Sequence, residues 1–175
     1  MSVAVLVGNP RPKSRTLQIA VQAAEAVAGR IGHAGEPDPV DLSALAPALL
    51  DASPAPEVQD ALDRVAGADV LVVASPTYKA TYTGLLKVFL DRLPGGALAS
   101  TVALPLLVMG DPKHSLAVEV HLRPLLVELG ATVPTPGLAF LESQVPDAAE
   151  VLGTWADAVA PQVSAALASL TAGAR

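Results

Sequence analysis

Residues 3–16 read VAVLVGNPRPKSRT, and the break after Val7 decides the fold. Val3 to Val7 is an unbroken aliphatic run of the kind found in strands covered on both faces. Gly8-Asn9-Pro10 signals a turn. From Ser14 or Arg15 onward a helix is expected, with Leu17, Ala20, Val21, Ala24, Val27 and Ile31 recurring at helical spacing along one face. Strand, turn and helix in that order open a βαβ unit.

The alternation continues along the chain. Gly29 and Gly32 end the first helix, Val40 to Leu42 can form a short strand, and ALAPALLDASPAP reads as an irregular surface excursion. Glu57 to Ala66 has the helical spacing Val58, Leu62, Val65, and Val70 to Ala74 is a second buried strand. Leu85, Leu86, Phe89, Leu90 and Leu93 mark a helix closed by Pro94-Gly95-Gly96. Val102 to Met109 is a third apolar strand, in which Pro105 removes a ladder donor. A helix is expected from about Ser115 to Leu129. Pro124 inside it denies the Val120 carbonyl its usual partner, which predicts a kink or π-bulge. Leu138 to Leu141 reads as the last strand, and Ala148 to about Leu170 as the last helix. Strands alternating with helices imply a parallel sheet with helices on both faces. Right-handed crossovers then bring the loops after the first, second and third apolar strands to one edge, at the strands' carboxyl ends.

Composition narrows the function. The 175 residues, 51 % hydrophobic, suit one folded domain spanning 1–175. With no cysteine, disulfides, thiolate metal sites and a cysteine nucleophile are excluded. A net charge of −6 and 3 % aromatic residues disfavour a nucleic-acid surface, which needs a basic field and stacking rings. The apolar run at the start is short and lacks a basic flank, so it does not read as a signal peptide. No stretch is long and apolar enough for a membrane span, and a cytoplasmic location is the expectation.

Against that acidic background, Arg11, Lys13 and Arg15 place three cations within five residues, and no acidic residue precedes Glu25. A helix start offers unpaired N–H groups and the positive end of the dipole. Ser14 and Thr16 add hydroxyls, and an arginine can grip two phosphate oxygens at once. A terminal phosphate suits this loop better than a buried pyrophosphate, because neither the P-loop nor the Rossmann glycine pattern is present. A solvated basic turn with a serine cap is the other reading. In SPTYKATYTGLLK, Tyr78 and Tyr82 flank Lys79; a ring, backbone N–H groups and a cation would suit a planar heterocycle, while two half-buried tyrosines packing on the next helix would need no ligand. The third loop, MGDPKHS, carries Gly110, Asp111, Lys113 and His114. No metal-ligating cluster, acid/base pair or G-x-S-x-G elbow stands out, so no catalytic side chain and no metal are expected.

The blocks GNPRPKSRT, SPTYKATYTGLLKVFLDRLP and MGDPKHSLAVEVHLRPLL resemble the NADPH-dependent FMN reductase family, nearest its branch serving two-component alkanesulfonate monooxygenases. The similarity runs from about Val3 to Val145. It implies a flavodoxin-like three-layer α/β fold with a five-stranded parallel sheet ordered 2-1-3-4-5. It implies FMN and NADPH as cofactors, with hydride passing from the nicotinamide to flavin N5 and reduced FMN supplied to a partner monooxygenase. Arg11, Ser14, Arg15 and Thr16 would then hold the FMN phosphate. Pro76, Thr77, Tyr78 and Lys79 would line the ribityl chain and isoalloxazine, and Gly110, Asp111 and His114 would border the ring's far side. Asn9 stands where serine is common in the family. Val120 follows Glu119 where the sulfonate branch often has tyrosine at a π-helical insertion, so FMN as released substrate and FMN as prosthetic group both stay open. An FMN-bound quinone, azo or metal-ion reductase and a flavodoxin-type electron carrier are the alternatives. Relatives form dimers and tetramers, and a homo-oligomer is expected.

Overall fold

A computed structural model describes residues 1–173 of the chain. Five strands form one parallel sheet: β1 (Val3–Val7), β2 (Asp38–Asp41), β3 (Val70–Pro76), β4 (Val102–Met109) and β5 (Leu138–Leu141). Their order is β2-β1-β3-β4-β5. The helices are α1 (Arg15–Arg30), α2 (Pro56–Ala66), α3 (Gly84–Leu90), α4 (Arg123–Glu128) and α5 (Ala148–Gly173).

The pleat sorts the aliphatic runs between two cores. Val3, Val5 and Val7 of β1 pack with Ile19, Ala23 and Val27 of α1 and Leu152, Ala156 and Val159 of α5. Ala4 and Leu6 face the other way, with Val58 and Leu62 of α2, Phe89 of α3 and Leu126 of α4. All residues of β1, β3 and β4 are buried, which is why these strands read as continuous apolar runs and not as alternations.

The element bounds follow the expectations with instructive shifts. β2 begins two residues early, at Asp38, because an edge strand with an exposed start needs only backbone pairing, here Ala4 with Asp38 and Val5 with Pro39. The buried stripe of α1 is centred on Ile19, Ala20, Ala23, Ala24 and Val27, leaving Leu17, Val21 and Ile31 at its margins. β3 runs on through Ser75 to Pro76, which pairs with Val108. Pro105 is tolerated because of its direction. Val102 N–H donates to Asp69 on the β3 side and Ala103 N–H to Thr132 on the other side. The missing donor of Pro105 therefore points with that of Ala103, towards β5, whose pairing starts only at Leu106.

The bulge expected from Pro124 is present as a π-helical turn over Val118–Leu122, where Arg123 N–H bonds back to the Val118 carbonyl. It is braced from within. Glu119 accepts from Arg123 Nε at 2.5 Å and from the Gly137 N–H, while Arg123 also donates to the carbonyls of Val133, at 2.9 Å, and Thr135. Glu119 thus ties the turn to the segment leading into β5, a role beyond that of a residue on a helix face. Gly137 is required there, since a Cβ would sit 2.5 Å from Val118 Cγ2. Among the described residues no helix is long and apolar enough to cross a membrane.

Candidate functional site

The first loop leaves β1 at Gly8, whose N–H donates to the Ala74 carbonyl at 2.8 Å. Nothing larger than glycine fits, because a Cβ would lie 2.4 Å from Leu86 Cβ on α3. Asn9, 6 % exposed, then fixes the turn from inside. Its Oδ1 accepts from Arg11 N–H and its Nδ2 donates to Thr16 Oγ1, both at 3.0 Å. A serine has no second arm for this span, so the asparagine organises both ends of the loop. Ser14 caps α1, its Oγ accepting from Leu17 N–H at 3.1 Å, a contact worth about 1 kcal/mol to a helix. The N–H groups of Arg15 and Thr16 precede any carbonyl of their own helix and remain available to an anion. Lys13 holds φ at 51°, so the loop carries local strain.

The second loop is pinned to the first. Thr83 Oγ1 donates to the Gly8 carbonyl and accepts from Leu86 N–H, capping α3, while Ser75 Oγ accepts from Thr83 N–H at 3.0 Å. Tyr78 N–H donates to Thr81 at 2.9 Å across a tight turn whose central residues, Lys79 and Ala80, both have positive φ (52° and 70°). That conformation belongs to a type I′ turn, normally made by Asn and Gly. All three non-glycine residues with positive φ among the described residues thus lie in these two loops. Strain of this kind concentrates at ligand sites. Thr77 N–H bonds to Val108, yet its buried Oγ1 has no partner. Tyr82 packs against the core, whereas Tyr78 stays exposed.

These loops enclose a cavity of about 320 Å³ lined by Asn9, Arg11, Pro12, Lys13, Ser14, Arg15, Thr16, Pro76, Tyr78 and Glu142. Six of the residues expected from the sequence therefore meet there: Arg11, Ser14, Arg15, Thr16, Pro76 and Tyr78. Thr77 and Lys79 adjoin it in the same loop. Gly110, Asp111 and His114 are not in its lining. Gly110 comes near it, since a Cβ there would lie 4.0 Å from Glu142 Oε2, and within the third loop Asp111 Oδ1 accepts from Lys113 N–H and Oδ2 pairs with Lys113 Nζ, both at 2.9 Å. The Lys113 contacts hold the Asp111 carboxyl below its usual range. A larger cavity of about 640 Å³ lies away from the strand ends, between α1 and α5, and includes none of these loops.

Sequence reading missed Asn9 as the organiser of the turn and Glu142 altogether. Glu142 follows β5 directly, at the same sheet edge, and its Oε2 lies 3.6 Å from Arg15 Nη1. The signal was available in the topology: the residue after the last parallel strand must emerge beside the other loops.

A parallel sheet in the order 2-1-3-4-5, with a cationic helix start and an exposed tyrosine at its carboxyl edge, defines a flavodoxin-like α/β protein. An archaeal flavodoxin superposes with a TM-score of 0.59 over 93 % of this chain and 99 % of its own, at 17 % identity, which speaks for the fold alone. The sequence model of the family described as NADPH-dependent FMN reductase matches residues 1–145. The chain belongs to that family. An FMN reductase (NADPH) of Escherichia coli K12 is 36 % identical over 152 residues, 84 % of this chain and 76 % of its own. One of Pseudomonas putida KT2440 is 43 % identical over 90 residues, 51 % of this chain and 46 % of its own, so that alignment spans about half of each. The apo crystal structure of an NADH:FMN oxidoreductase, EMOB, shares 36 % identity and a TM-score of 0.74, covering 89 % of this chain and 86 % of that one.

Proposed function

We propose that the chain acts, as one domain, as an NAD(P)H-dependent FMN reductase whose first loop holds the flavin phosphate. The observation that carries this reading is the clustering of Arg11, Lys13 and Arg15 around the first turn of α1, in the same cavity as Tyr78. The residues present fit the group: two free N–H groups, two arginines and the Ser14 hydroxyl suit a phosphate dianion, and the unpartnered Thr77 hydroxyl suits a polar edge further along. When bound, FMN supplies the electron-accepting ring and NADPH the hydride.

The protein's own part is placement. Arg11 and Arg15 anchor the phosphorylated end, and the pinned Gly8–Thr83 contact sets the first loop against the second. Pro76, Thr77 and Tyr78 line the path from that anchor along the sheet edge. Lys79, exposed beside Tyr78, offers a cation where negative charge would accumulate. No side chain is needed as a proton donor for the reaction. Gly110, Asp111 and His114 border the far side of the ring, Gly110 lying beside Glu142 of the cavity wall. A cytoplasmic location, a homo-oligomeric state and delivery of the product to a separate monooxygenase complete the reading.

The test is steady-state oxidation of NADPH with free FMN as acceptor. Turnover that saturates in FMN supports the reductase. A tightly held flavin with no NADPH oxidation would instead support an electron carrier of flavodoxin type.

A further inference from the structure

The cavity at the first loop has three cations and one acid, and the acid is in an awkward place for a site that must hold a phosphate. Glu142 Oε2 stands 3.6 Å from Arg15 Nη1, with the two side chains 45 % and 59 % exposed. Three other arginine–carboxylate pairs are tight: Arg30 Nε to Asp157 at 2.5 Å, Arg64 Nε to Asp38 at 2.8 Å, Arg123 Nε to Glu119 at 2.5 Å, while Arg64 Nη1 to Asp60, at 3.5 Å, is as loose as the Arg15 pair. The Arg15–Glu142 pair is looser than a hydrogen bond and contributes little to folding. It does lower the positive charge that Arg15 offers to an incoming anion.

The same Oε2 is the one atom near a Cβ placed on Gly110, at 4.0 Å, so the carboxylate stands between Arg15 and the bare backbone that follows β4. Leu141 N–H donates to Gln144 Oε1 at 2.9 Å across the turn that Glu142 begins.

We propose that Glu142 is an internal competitor for Arg15 that keeps the flavin phosphate weakly held and FMN exchangeable. The inference rests on the phosphate assignment above and deepens it. A phosphate dianion must share the Arg15 guanidinium with a carboxylate or displace it. Either way affinity falls and release quickens. That is the behaviour required of a flavin that leaves as product, and it is wasteful for a permanently bound one.

Titrations of FMN and of riboflavin into the wild-type protein, Glu142→Gln, Arg15→Ala and the double variant decide the matter. Glutamine keeps the size of the side chain and removes its charge. Glu142→Gln should tighten FMN by about twofold to tenfold, chiefly through slower release, the scale expected for one partly exposed charge. Riboflavin, which has no phosphate, should bind both proteins alike. In the Arg15→Ala background the glutamine should have almost no effect, because the competition is for that arginine. If Arg15→Ala weakens FMN selectively while Glu142→Gln leaves FMN unchanged or weaker, the phosphate assignment stands and the competitor role is wrong. If Arg15→Ala weakens FMN and riboflavin equally, the phosphate assignment itself fails, and the competitor role with it.

Discussion

Asn9 Nδ2 donates to Thr16 Oγ1 at 3.0 Å across seven residues of chain, joining the exit of β1 to the first turn of α1. That single carboxamide, buried to 6 % exposure, holds the basic turn closed. Asn9→Ala should cost about 1–3 kcal/mol in urea unfolding, since it leaves both Arg11 N–H and the Thr16 hydroxyl without their partner. FMN affinity should fall by more than riboflavin affinity, because the loop that loosens is the one assigned to the phosphate.

Gly8 offers a steric test of how the two loops are locked together. The missing Cβ would lie 2.4 Å from Leu86 Cβ, so Gly8→Ala must push β1's exit away from α3. A loss of about 1–3 kcal/mol is expected from overpacking. Thermal unfolding of the variant measures it, and an unchanged transition would mean that α3 yields more readily than its buried Leu86 and Phe89 suggest.

The turn over Tyr78–Thr81 invites the opposite change. Ala80 sits at φ 70°, a left-handed conformation that costs an L-residue about 1–2 kcal/mol. Glycine removes that strain but adds freedom to the unfolded chain, worth about 0.4–1 kcal/mol in the other direction. Ala80→Gly should therefore raise stability by up to about 1 kcal/mol. Chemical denaturation of the variant beside the wild type provides the comparison.

Glu119 links stability to pH. Its hydrogen bond with Arg123 holds the carboxyl below the ordinary 4.5, against an opposing pull from partial burial, with the Gly137 N–H adding to the lowering. A carboxyl titrating lower in the folded than in the unfolded protein stabilises the fold above the unfolded value. That contribution disappears as pH falls through the folded value. Glu119→Gln should be less stable than wild type near neutrality by about 1 kcal/mol, a figure discounted for exposure. The gap should close under acid, which melting curves collected from neutral pH downwards would record.

Much of this architecture was legible in the chain because its signals are local. Val3–Val7 and Leu138–Leu141 are bounded by turn residues and appear as strands at those bounds. Pro124 announced the π-helical turn through a donor that proline lacks. The first loop declared itself by charge. What escaped reading depends on contacts distant in sequence. The start of β2 at Asp38 is fixed by its partner Ala4, not by its own polar residues. The stripe of α1 is rotated towards Ile19 and Ala23 because small alanines let that face approach β1 and β3 closely. Glu142 reaches Arg15 across 127 positions, and nothing in ESQVPD itself marks the contact. The Asp111–Lys113 contacts within the third loop are likewise not announced by its charges alone.

On the reading proposed above, the turn carrying Arg11 and Arg15 holds the phosphate of FMN. A crystal structure of the protein grown with excess FMN tests it most directly. Phosphate oxygens should lie within hydrogen-bonding distance of Arg15, Ser14 and the first N–H groups of α1, with the ring running past Pro76 and Tyr78. A flavin bound with its phosphate away from that turn, or seated in the groove between α1 and α5, would contradict it.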